Sequence, residues 1–337
     1  MPKIILAVPL LTGGGAERVV SVWANELVEL DYDVTILLFT RSQNEYEINP
    51  KIKVLSLESN LLDYKSNSIL KNILSIRKIL RESKAEFIVS FLPAMQVLVM
   101  LACIGLKTKR IETIRVNPWE NGLKSKINVF MWNLSFYTSY KIIIQSDRQK
   151  EYFKKIIWDK CYKIVNPISD TYIDVYRETT REKVTNFISV GRIDKQKNYE
   201  MLIKAFSSIC KKYPNIKLDI FGDGTEGYTK EIYKLILSLK AENNIFLRGR
   251  TKNIVNEYMK NDVYIMTSNF EGLPNALIEA MACKLICIST DCLTGPSDLI
   301  DDNENGFLVS VGNIEQLEQV IEKILGMDLP QLEKISN

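Results

Sequence analysis

Short apolar runs alternate with helical stretches along nearly the whole chain, and each run is followed by a turn before the helix begins. Lys3–Val8, Val34–Phe39, Phe87–Phe91, Lys109–Thr113 and Lys141–Ile144 read as strands buried on both faces, the pattern of parallel sheets covered by helices. Val19, Val20, Trp23, Leu27 and Leu30 then mark one face of the first helix. Ser146-x-x-Gln149 reads as a capping box opening another. The alternation lapses over the polar segment Ser169–Lys183 and restarts with Phe187–Val190, Lys217–Phe221, Asn244–Leu247, Val263–Thr267 and Leu285–Ser289. The pattern predicts two α/β units of similar size, over residues 1–168 and 184–337, joined by a linker at 169–183. Sheets of this kind bind ligands beyond the carboxyl ends of their strands, so the cleft between two such units is the expected site.

The length of 337 residues suits two domains. With no histidine in the chain, His-based triads, His zinc ligands and histidine general bases are excluded. The six cysteines form no CxxC pair, and we expect buried reduced thiols, which suit a reducing cytoplasm. A net charge of +3 does not argue for nucleic acid. Between Lys107 and Lys163, however, 13 Lys or Arg face five Asp or Glu, which fits either a solvated basic face or a surface held at an anionic membrane. Met1–Pro9 runs straight into a strand pattern rather than a signal peptide. The uncharged stretch Phe87–Leu106 is long enough to span a bilayer, but Pro93 and Gln96 divide it into a strand and a buried helix. Along Ser125–Tyr140, beside Lys124 and Lys126, Ile127, Phe130, Met131, Leu134 and Tyr137 or Thr138 share a helical face. Core packing is the more usual use of such a face, and interfacial docking the other.

Five loops that follow strands could carry chemistry. Thr12-Gly13-Gly14-Gly15-Ala16-Glu17-Arg18 lets backbone N–H groups approach an anion or sugar at a helix start, although it is neither a Walker loop nor a full dinucleotide fingerprint, and a plain turn is the alternative. Gly191-Arg192-Ile193-Asp194-Lys195-Gln196-Lys197-Asn198 offers Arg192 and Lys197 to a diphosphate, against a solvated basic turn. In Phe270–Ala282, Glu271 stands on a loop and Glu279 inside the helix that Pro274 opens; an exposed helical glutamate is the bland alternative for Glu279. Thr290–Asp298 is a further strand-to-helix junction with a Gly-Pro turn, and Gly222-Asp223-Gly224 is a close-approach loop.

Taken in order, G-G-A-E-R, G-R followed by K-N, E-G-x-P-N-x-L-x-E-A-M-A and T-D-C-x-T-G-P resemble the landmarks of glycosyltransferase family 4, over about Lys3–Ile324. The resemblance implies a GT-B architecture, with two Rossmann-like domains whose parallel sheets face each other across a cleft: an acceptor-side N-terminal domain and a donor-binding C-terminal domain. It implies a retaining transferase of bacterial surface-polysaccharide or lipid-linked glycan assembly. Such an enzyme moves a hexose or N-acetylhexosamine from a nucleotide sugar, UDP-linked by expectation, to a saccharide or polyprenyl-diphosphate-linked acceptor. By the same resemblance Arg192 and Lys197 bind and stabilise the leaving diphosphate, and Glu271 lies near the donor sugar ring. Glu279 takes the ribose, the amides of Asn275, Ala276 and Leu277 surround the phosphates, and Gly14, Gly15 and Gly222 line the donor site. Arg115 and Asn117 match a loop reaching the acceptor or donor sugar. No metal or other cofactor and no nucleic acid is expected, and the location implied is cytoplasmic, peripheral at the inner face of the plasma membrane. The alternatives are a transferase using GDP-mannose and a non-catalytic nucleotide-sugar-binding protein. Asp31-Tyr32-Asp33 also fits the DxD of a metal-dependent transferase, though a turn explains it better. The chain departs from the family pattern at Lys284, where glycine is usual, and in lacking a histidine near the sugar, for which Arg115 or Asn117 could substitute. It also ends soon after Ile324, where relatives continue through helices that cross back to the first domain.

Overall fold

A computed structural model describes residues 1–12, 14–40, 46–57, 66–120, 123, 125–172 and 183–336. Gly13, Lys124 and most of the expected linker, 173–182, lie outside the described residues. The chain divides into two units, Met1–Pro167 and Ile168–Asn337.

The N-terminal unit is built on β1 (Lys3–Val8), β2 (Asp33–Leu38), β3 (Lys53–Ser56), β4 (Phe87–Ser90), β5 (Lys109–Thr113), β6 (Lys141–Ile144) and β7 (Cys161–Lys163). They form a seven-stranded sheet in the order β3-β2-β1-β4-β5-β6-β7, with every pairing parallel. The main helices are α1 (Gly15–Glu29), α2 (Ser66–Ser83), α3 (Pro93–Ala102) and α4 (Lys126–Tyr137), with a single turn α5 (Asp147–Lys150). The apolar runs are continuous because both faces are covered. Ile4, Leu6 and Val8 pack with Val19, Val20 and Ala24 of α1, while Ile5 and Ala7 pack with Ile76, Met95 and Val99 of α2 and α3. The uncharged Phe87–Leu106 stretch is accordingly a strand and a separate helix, and no helix among the described residues is long and apolar enough to cross a membrane. Ser146 Oγ accepts from the Gln149 amide (3.2 Å), but the Gln149 side chain accepts from the amide of Gln145 rather than Ser146, so half of the capping box is displaced by one residue.

The C-terminal unit carries β8 (Asn186–Val190), β9 (Lys217–Phe221), β10 (Ile245–Gly249), β11 (Val263–Met266), β12 (Ile286–Thr290) and β13 (Phe307–Val309). This six-stranded sheet has the order β10-β9-β8-β11-β12-β13, again all parallel. Its helices are α6 (Tyr199–Lys212), α7 (Glu226–Ser238), α8 (Ile254–Lys260), α9 (Asn275–Ala282), α10 (Ile314–Leu325) and α11 (Leu329–Ser336). Leu202, Ile203, Phe206 and Ile209 of α6 are buried against β8 and β9, each contributing about 1.5–3 kcal/mol. On the other face Tyr258, Leu277, Ala280 and Cys283 pack on Ile188, Tyr264 and Cys287. The cysteines form no disulfide and are mostly buried, and burial pushes the Cys210 and Cys292 thiols up to about 12, so neither is a poised nucleophile.

In each sheet strand order reverses at one place, between β1 and β4 in the first and between β8 and β11 in the second. There the loops leaving adjacent strands turn to opposite faces and open a crevice at the carboxyl edge. Asp31-Tyr32-Asp33 sits away from that edge: Asp31, at φ 61°, turns the chain out of α1, and Asp33 begins β2 and pairs with Lys3. A turn thus accounts for this DxD.

Candidate active site

At the β8/β11 reversal, two loops from well-separated stretches of sequence are strapped together. Thr267 Oγ1 donates to the carbonyls of Lys197 (3.0 Å) and Asn198 (3.1 Å), and the Asn269 amide donates to the Gln196 carbonyl (2.8 Å). The Asn269 side chain donates to Lys195 O (2.8 Å), and Gln196 Nε2 donates to Phe270 O (3.0 Å). Across this seam Lys197 Nζ meets Glu271 Oε1 at 2.7 Å, with both side chains largely out of water. Asn198 adopts φ 48°, and its side chain accepts from the Met201 amide, so the loop ends as the cap of α6.

Glycines set how closely this loop can be approached. A Cβ on Gly222, which has φ 143°, would strike the Gly191 carbonyl oxygen, and one on Gly191 would meet Lys197 Cε at 2.8 Å. The loop after β9 therefore lies directly against the basic loop. The loop after β12 closes the other side: Thr290 Oγ1 donates to Ser268 O (2.6 Å), Thr294 Oγ1 donates to Glu271 O, and a Cβ on Gly295 would strike Gly272 O. Four adjacent strands, β9, β8, β11 and β12, thus deliver their carboxyl-end loops to one place.

The other predicted residues divide. Arg192 does not share the partner of Lys197: it is 77% exposed and pairs with Asp194 at 3.6 Å. Glu279, for which sequence left open an exposed position, is only 7% exposed and accepts from Tyr258 Oη at 3.4 Å. The same hydroxyl reaches the Ala276 carbonyl (3.2 Å), so Tyr258 ties Glu279 to the start of α9. That start has no side-chain cap, and the Leu277 amide donates to the Pro274 carbonyl at 3.1 Å, so of the three amides expected around the phosphates that of Leu277 already closes the first turn. Sequence gave no sign of Tyr258, whose hydroxyl is buried. Lys284 takes φ 56°, the left-handed turn that glycine would make, and the amides of Lys284 and Leu285 close the helix on Met281 and Ala280.

In the N-terminal unit, Gly14 precedes α1 in an extended conformation, Gly15 opens the helix, and the Glu17 carboxylate folds back over Gly14, where a Cβ would collide with it. Tyr46 Oη donates to the Gly14 carbonyl (3.0 Å). Beyond β5, Arg115 stacks on Trp23 (4.6 Å) and Phe91 (5.5 Å) and donates from Nη1 to Asn166 Oδ1 at 2.6 Å. Asn117 is buried, its Oδ1 accepting from the Trp119 amide at 3.0 Å. Helix α4 is not purely a core helix. Trp132, Ser135 and Phe136 face the core, while Ile127 and Phe130 remain 72% and 65% exposed.

Known proteins align with both units. Residues 13–171 match the family described as Glycosyltransferase Family 4, and residues 174–337 match Glycosyl transferases group 1. The GalNAc-alpha-(1->4)-GalNAc-alpha-(1->3)-diNAcBac-PP-undecaprenol alpha-1,4-N-acetyl-D-galactosaminyltransferase of Campylobacter jejuni is 31% identical, over 100% of this chain and 92% of the relative. Among solved structures, a substituted TarM of S. aureus, in complex with fondaparinux, alpha-GlcNAc-glycerol and UDP, superposes with a TM-score of 0.82 at 16% identity, covering 100% of this chain and 95% of that one. HepE of Anabaena, in complex with UDP and glucose, gives 0.81 at 18% identity, with coverage of 100% and 93%. The fold is therefore GT-B, two parallel-sheet Rossmann-like domains. With motifs, fold and a full-length relative in agreement, the chain belongs to the family 4, group 1 glycosyltransferases.

Proposed function

We propose that this glycosyltransferase is a retaining enzyme that moves an N-acetylhexosamine or hexose from a UDP-sugar to a lipid-linked saccharide in the assembly of a bacterial glycan. The observation that carries the reading is the Lys197–Glu271 pair at the strand-order reversal of the C-terminal sheet, beside an uncapped helix start and the buried Glu279. In this reading residues 184–337 are the donor domain and residues 1–168 the acceptor domain, joined by the 169–183 linker. Lys197, joined by Arg192 when that exposed side chain swings in, neutralises the donor diphosphate. The Asn275 and Ala276 amides hold a phosphate and Glu279 accepts from a ribose hydroxyl. Glu271, released from Lys197 when the diphosphate takes over that cation, accepts a hydroxyl hydrogen bond from the donor sugar. Gly222 lets the loop after β9 close against the basic loop that carries Arg192 and Lys197. The bond from the anomeric carbon to the diphosphate oxygen breaks as the bond to the acceptor oxygen forms on the same face. The acceptor proton passes to the departing diphosphate, so no histidine base is needed. The protein supplies position and charge.

The acceptor class rests on the Campylobacter relative, named for a diphospho-undecaprenol-linked substrate, and on the uncovered Ile127 and Phe130 beside a basic segment, a face suited to an anionic bilayer at the inner side of the plasma membrane. A donor screen tests the whole reading: UDP-N-acetylhexosamines, UDP-hexoses and GDP-mannose are each incubated with lipid-linked acceptor and the products weighed. A mass gain of one sugar from a UDP donor, with the anomeric configuration retained, is expected. Tight UDP binding with no product from any donor would instead mark a binding protein, and turnover of GDP-mannose alone would overturn the nucleotide assignment.

A further inference from the structure

At the carboxyl edge of the N-terminal sheet a guanidinium is buried with no counter-charge among the described residues. Arg115 follows β5, Gln145 follows β6 and Asn166 follows β7, three strands adjacent in the sheet. Arg115 Nη1 and Gln145 Nε2 both donate to Asn166 Oδ1, at 2.6 and 2.5 Å, while Arg115 Nε and Nη2, Asn117 Nδ2 and Gln145 Oε1 are buried with no hydrogen-bond partner among the described residues. No carboxylate among the described residues pairs with Arg115, and burial alone pulls its pKa below the ordinary guanidinium range. Buried polar groups without partners each cost about 1–3 kcal/mol, more for charged groups, so a cluster of four is a poor way to build a core and a sound way to build a site.

The geometry of the unpaired atoms points to their ligand. Nε and Nη2 form the side-on edge of the guanidinium, which takes two oxygens at once, and stacking on Trp23 and Phe91 uses the flat face and leaves that edge available. Asn117 Nδ2 adds a third donor, which suits the tetrahedral oxygens of a phosphoryl group better than a planar carboxylate. Helix α4 starts at this same edge, because it runs from the loop after β5 to the start of β6, and it brings the exposed Ile127 and Phe130 with it. Trp119, also exposed, packs on Tyr152, which in turn lies against Trp132 of α4. An anion-seeking edge beside an apolar rim matches a phosphate that carries a hydrocarbon tail.

We propose that Arg115 and Asn117 form a phosphoryl-binding site in the N-terminal unit that takes the diphosphate of a prenyl-linked acceptor, with the tail running toward Trp119, Ile127 and Phe130. The inference rests on the lipid-linked acceptor proposed above and adds the residues that grip its phosphate. Both unpaired guanidinium nitrogens are out of contact with solvent, so binding requires a local rearrangement of the side chains packed around them.

Titration calorimetry with farnesyl diphosphate, on the full chain with and without saturating UDP, decides the matter without turnover. Wild type is expected to bind equally well with and without UDP, R115Q to bind at least ten-fold more weakly, and R115K to recover part of the loss. N117D, which places an isosteric carboxylate against the phosphate, is expected to lose at least ten-fold as well, and it tests the site should R115Q fail to fold. Unchanged farnesyl diphosphate binding in R115Q, or in N117D where R115Q does not fold, overturns the site. Binding that saturating UDP abolishes assigns the ligand to the donor pocket instead, and inorganic diphosphate binding as tightly as farnesyl diphosphate removes the lipid. Because calorimetry needs no sugar transfer, failure of the glycosyltransferase reading in the donor screen leaves this result interpretable.

Discussion

At the scale of single residues, the Lys197–Glu271 pair bears most on the chemistry. Glu271 lies on a loop fastened by Thr294 on one side and Gln196 on the other, so its carboxylate is held in place before any ligand arrives. Replacing Glu271 by Gln keeps the shape, removes the charge and frees Lys197. Steady-state kinetics are expected to show a fall in kcat of about 100–1,000-fold, the size of losing one preorganised electrostatic contact, with UDP affinity unchanged or tighter. Near-wild-type turnover in Glu271→Gln would remove this carboxylate from the mechanism. If Lys197 holds the diphosphate as proposed, Lys197→Ala is expected to lose both transfer and UDP affinity. Lys284 gives a stability test at the same scale. A lysine in the left-handed region costs roughly 1 kcal/mol that glycine avoids, and glycine gives some of that back through its freer unfolded chain, so Lys284→Gly is expected to stabilise the protein by about 0.5–1 kcal/mol in urea unfolding. A destabilised variant would mean that the lysine side chain contributes contacts worth more than the strain.

Among elements, the strands legible in sequence were mostly the ones covered on both faces, with β10, a half-buried edge strand, the exception. The inner strands β1, β4, β8, β11 and β12 announced themselves as apolar runs, whereas β3, β7 and β13, all at sheet edges, did not. β3 and β7 have exposed or half-buried side chains throughout, so no apolar run marks them, and β13 is three residues long. The site follows the same division. The loops holding Lys197 and Glu271 could be read from their glycines and prolines, but Tyr258 beneath Glu279 and the unpaired edge of Arg115 depend on contacts between distant segments that no local pattern encodes. On β5 a buried pair shows what that concealment costs. Arg110 Nη1 meets Glu112 Oε1 at 2.8 Å, Ser90 adds a hydrogen bond to the same carboxylate, and burial outweighs both, pushing Glu112 up to about 7. The folded state then holds this proton more tightly than the unfolded state, so the carboxyl is neutral in both below the unfolded pKa and costs stability increasingly as pH rises toward 7. The stability of wild type relative to Glu112→Gln is therefore expected to fall by up to about 3 kcal/mol between pH 4.5 and 8, measured by urea unfolding at each pH. A pH-independent difference would mean that Arg110 keeps the carboxylate charged throughout.

For the molecule as a whole, the most consequential property is that each unit owns its sheet and its core. The apolar clusters around α1, around α2 and α3, and around α4 are drawn from the N-terminal unit, and those around α6 and α9 from the C-terminal unit. The groups assigned to the nucleotide, from Lys197 to Glu279, all belong to the C-terminal unit, and the hydrogen bonds described above that position them are internal to it. A fragment covering Ile168–Asn337 is therefore expected to fold alone and to bind UDP with an affinity within about ten-fold of the full chain, while transferring no sugar. In the full chain the same logic predicts that UDP raises one of two unfolding transitions and leaves the other where it was. At a UDP concentration of about 100 times Kd the gain is about 2.7 kcal/mol, carried by the C-terminal unit alone. Differential scanning calorimetry with and without UDP separates the cases. A single transition that shifts as one would show that the units unfold together, and a fragment that folds but ignores UDP would show that the nucleotide needs residues from the first 167 positions, Gly14 and Gly15 foremost.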